Sequence, residues 1–74
     1  MTTHEMDLRG LDCPQPTLEI GVKASELDDG EVIVAEADCS TFPDDVRDWC
    51  EKTDSTLISL VEPEPGVYEA EIQL

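Results

Sequence analysis

The sequence predicts an α+β fold, a two-layer sandwich in the order β-α-β-α-β-β with a four-stranded mixed sheet and two helices on one face. Three observations predict it. Residues 31–37 contain Val32-Ile33-Val34-Ala35, a nearly continuous apolar run of the kind a central strand needs. Residues 67–74 alternate, with Tyr68, Ala70, Ile72 and Leu74 to one side and Glu69, Glu71 and Gln73 to the other, the period of a half-buried strand. Two further segments, each ahead of a strand, place apolar residues at helical spacing. Right-handed crossovers then put both helices on the same face. A chain of 74 residues has room for one domain, residues 1–74, and one thin core; at this size roughly 60% of the unfolded surface is buried.

The elements follow in order. Glu5-Met6-Asp7-Leu8 alternates polar and apolar and reads as a short first strand, with Arg9-Gly10-Leu11-Asp12 as the loop leaving it. The first helix is expected from Pro14 to Leu27, with Leu18, Val22 and Ser25 on one stripe and Ile20, Ala24 and Leu27 beside it. Gly21 inside that helix costs about 1 kcal/mol relative to alanine, which close helix–sheet packing would explain. Asp28-Asp29-Gly30 ends the helix, and the apolar strand follows. Ser40 or Thr41 caps a second helix, with Asp44 and Asp45 in its first turn and Val46, Trp49, Cys50 and Thr53 at helical spacing. Residues 56–62 form a third strand, Pro63-Glu64-Pro65-Gly66 a turn, and the last two strands a hairpin. Strands one and two are parallel if the first helix is an ordinary crossover, so the loops that follow them, carrying Cys13 and Cys39, should emerge at the same end of the sheet.

The charge balance narrows the function classes. Nineteen acidic residues stand against Arg9, Lys23, Arg47 and Lys52, for a net charge of −15. Such a surface repels phosphate backbones and anionic lipid, so neither nucleic acid nor membrane is an expected partner. The regular apolar patterning argues against disorder, which high charge otherwise favours. Two readings of the acidity are left: a surface for docking partners, or adaptation to a salt-rich cytoplasm, where molar salt shortens the Debye length to ~3 Å and screens carboxylate repulsion. The spread of acidic residues along the whole chain and the scarcity of lysine favour salt. The polar first residues and the lack of any apolar run near ~18 residues predict a cytoplasmic chain without a signal peptide or membrane span. It is expected to be a monomer when alone.

The residues that carry chemistry are Cys13-Pro14-Gln15-Pro16, at the start of the first helix. Proline fits the first helical position, where its missing N–H costs nothing. With Pro14 there, Cys13 becomes the N-cap and its sulfur faces the positive end of the helix dipole, which favours the reactive thiolate. The Gln15 amide, and that of Thr17, are expected to donate to a sulfur anion at Cys13. Asp12, Glu19 and the overall negative field oppose that anion, and Arg9 is the nearby cation able to offset them. Free cysteine is also a common small core residue; Cys50, beside Trp49 on the apolar stripe, fits that description. Cys39 lies in a loop expected to be exposed, which makes it a candidate second thiol. Three cysteines without close pairing, and His4 as the sole histidine, exclude a fully paired disulfide framework and disfavour a closed four-ligand zinc site. His4 is expected to be solvated, and Trp49 and Tyr68 to belong to the core. The acidic trio Asp44, Asp45 and Asp48 reads as an ordinary dipole complement.

The run Asp7-Leu8-Arg9-Gly10-Leu11-Asp12-Cys13-Pro14-Gln15-Pro16 closely resembles the signature of the TusA/SirA-like sulfur-carrier family. Weaker matches follow in order: the Leu18-Glu19 helix, the Gly30 turn, the strand ending near Asp38, Asp45-Val46 before Trp49-Cys50, and the Gly66-Val67-Tyr68 hairpin. The resemblance implies a βαβαββ sandwich in which Cys13 carries sulfur as a covalent persulfide, with no metal or organic cofactor. It also implies a cysteine desulfurase or rhodanese-like donor and an acceptor protein in a sulfur relay towards tRNA thiolation, cofactor synthesis or sulfur oxidation. Supporting roles would fall to Arg9, Gly10, Asp12, Pro14, Gln15 and Pro16. The chain departs from the family at Cys39, where proline is common, at Pro43-Asp44, where a basic residue is frequent, and in its acidity. Two readings compete with the sulfur carrier: a thiol redox protein in which Cys39 resolves Cys13, requiring Cα atoms within ~7 Å, and a non-catalytic regulatory module.

Overall fold

A computed structural model describes residues 2–74. Its elements run β1 (Thr3–Asp7), α1 (Gln15–Ser25), β2 (Val32–Ala37), α2 (Phe42–Thr53), β3 (Thr56–Glu64) and β4 (Val67–Gln73). The sheet order is β1-β2-β4-β3. β1 and β2 are parallel, and β4 pairs antiparallel with both β2 and β3. This is the expected mixed sheet with the expected hairpin.

The pleat sorts the residues of the two inner strands. Ile33, Ala35 and Ala37 of β2 and Ala70 and Ile72 of β4 are fully buried, and they stack against Phe42 and Val46 of α2 and Ile20 of α1. The opposite sheet face is acidic. Asp7, Glu36 and Glu69 lie in one row across β1, β2 and β4, and Glu5, Val34 and Glu71 in the next. Like charges placed directly across strands destabilise a sheet. Arg9 relieves that row: its guanidinium grips both carboxylate oxygens of Asp7 at 2.9 and 3.0 Å and reaches Glu36 at 3.2 Å.

The first helix is turned relative to expectation. Leu18 and Val22 are 62% and 57% exposed, and the buried residues are Pro16, Thr17 and Ile20, with Ala24 and Leu27 partly buried alongside. Two apolar stripes compete on α1, and neither is markedly richer, so periodicity alone does not set its rotation. Gly21 has a different role from the helix–sheet contact expected of it. A Cβ there would stand 3.4 Å from Trp49 Nε1 on α2, which places Gly21 at the helix–helix contact.

Boundaries shift elsewhere. β1 begins at Thr3 and ends at Asp7, although the Leu8 amide still donates to the Glu36 carbonyl. β3 continues through Pro63 to Glu64, with register shifts between Leu57 and Ser59 and between Val61 and Glu64. Proline is tolerated there because β3 is an edge strand. The turn contracts to Pro65-Gly66, with Gly66 at φ +81° in the left-handed position that a type II turn reserves for glycine. His4 is not solvated: its ring is half-buried and pairs with Glu31 at 3.0 Å, and this hydrogen bond, ahead of the one from the Asp28 amide, holds the Glu31 carboxyl below its usual range.

Candidate functional site

The loops after β1 and β2 meet at one end of the sheet, as parallel pairing requires, and residues 10–13 and 38–41 line a shared open depression. A cross-loop hydrogen bond fixes them, from the Gly10 amide to Asp38 Oδ1 at 3.0 Å. Gly10 has φ +86°, a conformation that glycine adopts without the Cβ penalty. The Leu8 amide also reaches the Glu36 carbonyl.

Pro14, not Cys13, is the N-cap of α1. Gln15 is the first helical residue and Pro16 the second, so two prolines bracket the position that a single proline was expected to fill. Both sites are acceptable because the first amides of a helix have no intrahelical partner. The shift has a chemical consequence. The Gln15 amide donates to the Asp12 carbonyl at 2.8 Å and is not directed at sulfur. The Thr17 hydroxyl donates to the Pro14 carbonyl at 2.9 Å. Cys13 lies one residue before the N-cap, partly buried against the core, joined to Pro14 by a cis peptide bond.

Arg9 is engaged by carboxylates. Its side chain serves Asp7 and Glu36 on the acidic sheet face, and its own amide donates to Asp7 Oδ1 at 3.2 Å. The guanidinium hydrogen bond draws the Asp7 carboxyl down from 3.8 to about 2. Arg9 therefore shapes the loop through Asp7, and its guanidinium is taken up by the Asp7 and Glu36 carboxylates. Asp12 is exposed and contributes its carbonyl to the Gln15 turn.

Cys39 overturns the expectation of an exposed loop thiol. It is 7% exposed and is joined to Cys13 as a disulfide, with Cα atoms 5.7 Å apart, inside the range a disulfide needs. The parity of β2 explains the burial: Ile33, Ala35 and Ala37 face the core, and Cys39 continues the same alternation beyond the strand's end. That parity was the available sequence signal. Thr41, the N-cap of α2, places its hydroxyl 3.6 Å from Cys39 Sγ and donates to Asp45 Oδ2 at 3.0 Å. An Asp45 carboxylate oxygen lies within 4.8 Å of both sulfurs. From residue order Asp45 reads as a dipole complement and a family match, and its convergence on the cysteine pair becomes visible only in the fold. Cys50 is the remaining cysteine, 4% exposed, and burial pushes its thiol pKa up. It is a core residue.

The site is therefore a pair of sulfurs where the amino ends of both helices converge. A helix amino end favours negative charge within its first turn; the Asp45 carboxylate opposes it. The family model of the sulfurtransferase TusA matches residues 4–74. The chain belongs to the TusA family. Membership gives it a sulfur-carrier or sulfurtransferase role exercised in relay with other proteins, and the TusA match runs from His4 within β1 through all the later elements. Among the described residues, no helix is long and apolar enough to cross a membrane.

Proposed function

We propose that Cys13, in its reduced form, is the residue that carries sulfur. The Cys13 thiolate attacks the outer sulfur of a donor persulfide. A bond forms between Cys13 Sγ and that sulfur, the donor's S–S bond breaks, and the donor leaves as a thiolate. Cys13–S–SH then yields its outer sulfur to an acceptor thiolate by the same exchange, with Cys13 as the leaving thiolate. Neither step calls for a metal or an organic cofactor. The observation that carries this reading is the position of Cys13: partly buried on an open depression, outside a proline-bracketed helix start, in a chain of the TusA family.

The donor would be a protein persulfide of the cysteine desulfurase or rhodanese-like class, and the acceptor a relay protein leading to tRNA thiolation, cofactor synthesis or sulfur oxidation. Gly10, held by Asp38, and the rigid Pro14-Gln15-Pro16 segment would present the sulfur with little loss of backbone entropy on docking. Reduced protein incubated with a cysteine desulfurase and cysteine should gain one sulfur, about 32 Da, by thiol–persulfide exchange. The same gain in Cys13→Ser would overturn the assignment. The thiol redox reading is favoured by one specific observation, the Cys13–Cys39 disulfide.

A further inference from the structure

Sulfur loading uses one cysteine, yet two are brought together. The two differ in depth: Cys13 is partly buried on the depression, and Cys39 is 7% exposed beneath it. A macromolecular donor reaches Cys13 first, while Cys39 meets whatever sulfur Cys13 already holds. Their Cα separation of 5.7 Å lets the two Sγ atoms bond without backbone movement. Thr41 and Asp45 are placed to handle the proton of the deeper thiol. The Thr41 hydroxyl donates its hydrogen to Asp45 Oδ2, so in the reduced protein its oxygen is free to accept from the Cys39 S–H.

We propose that Cys39 is a resolving thiol that discharges the Cys13 persulfide as sulfide, giving the carrier a second outcome that needs no acceptor protein. This rests on the reading of Cys13 as the sulfur-bearing residue. Cys39 sulfur attacks Cys13 Sγ; the Cys13–Cys39 S–S bond forms, and the bond from Cys13 Sγ to the outer sulfur breaks. The outer sulfur leaves with the electron pair and, with the persulfide proton and the Cys39 proton, departs as hydrogen sulfide. The outer sulfur is reduced to sulfide and the two cysteines are oxidised to the disulfide, so no outside oxidant enters. A dithiol reductant returns both thiols and is itself oxidised to a disulfide. The disulfide form has no free Cys13 thiolate and cannot accept sulfur, so discharge also closes the carrier until that reductant acts.

The test is made without oxygen on the full chain, reduced and then loaded with inorganic tetrasulfide, with excess reagent removed. Whole-protein mass and released sulfide are followed over time. Wild type should lose the added sulfur of about 32 Da, finish about 2 Da below the reduced mass, and release one sulfide per chain. Cys39→Ser and Cys39→Ala should hold the added sulfur roughly tenfold longer or more and release none. Cys50, left unalkylated in a folded chain, reports that each variant has kept its core. Equal lifetimes in wild type and both variants would overturn the discharge and leave the carrier intact. Failure of Cys13 to load in wild type and variants alike would overturn the carrier reading itself, and the discharge with it.

Discussion

The junctions β1→α1 and β2→α2 begin from nearly the same local chemistry and end at different depths. Each contains an Asp-Cys pair, Asp12-Cys13 and Asp38-Cys39, and each helix has proline as its second residue, Pro16 and Pro43. In each, the first helical amide turns back to a loop carbonyl, Gln15 to Asp12 and Phe42 to Cys39. The difference is length. Residues 38–41 make a short junction, so Cys39 retains the inward parity of β2 and is buried. Residues 8–14 make a long one, which carries Cys13 away from the parity of β1 and holds it at the depression through Gly10 and Asp38. Loop length thus converts one motif into an outer and an inner sulfur.

The largest expected contrast lies at the first helical residue of each junction. Phe42 is fully buried and Gln15 is exposed. Phe42→Ala should cost about 3–5 kcal/mol of stability, whereas Gln15→Ala should stay within about 0.5 kcal/mol, both read from urea midpoints. Equal losses would mean that the two junctions do not differ in depth as described. A smaller effect is expected at the tether. Asp38→Ala removes the acceptor of the Gly10 amide, which should cost about 1 kcal/mol and speed alkylation of Cys13 in the reduced protein while leaving Cys39 slow. Unchanged Cys13 alkylation would show that the cross-loop bond does not restrain it.

The smallest effect separates Arg9 from the sulfurs. Arg9→Gln should raise the Asp7 carboxyl from about 2 towards 3.8, with the residue-9 amide still holding it below that value, measured by NMR across acid pH. Because the folded value lies below the ordinary one, the Asp7–Arg9 contribution is fully present above the unfolded value and disappears as pH falls through about 2. The Cys13 and Cys39 alkylation rates should not follow this substitution. If they do, Arg9 acts on the site after all.

Much of the fold could be read from residue order, and the exceptions have identifiable causes. Alternation from Tyr68 to Leu74 and the apolar run from Val32 to Ala35 each admit one arrangement, and both are observed. The rotation of α1 was not legible because Leu18-Val22 and Pro16-Ile20-Ala24 satisfy the same period, and only packing against Trp49 and the sheet chooses between them. The helix start was misplaced by one residue because Pro14 and Pro16 both suit a first turn. At the site, the Cys13 motif stood out, and so did the meeting of its loop with that of Cys39. The depth of Cys39 and the approach of Asp45 were missed, since the first needs strand parity carried past the last ladder pair and the second needs the pitch of α2.

The border formed by β3 bears on how copies of this chain behave when crowded. A strand on the rim exposes unpaired amides and carbonyls that invite another molecule to extend the ladder. Here two register slips bend that row, and Pro63 removes one of its donors. A neighbouring copy finds no continuous template along this rim, so self-templated growth into ribbons is discouraged on that side even in a concentrated solution.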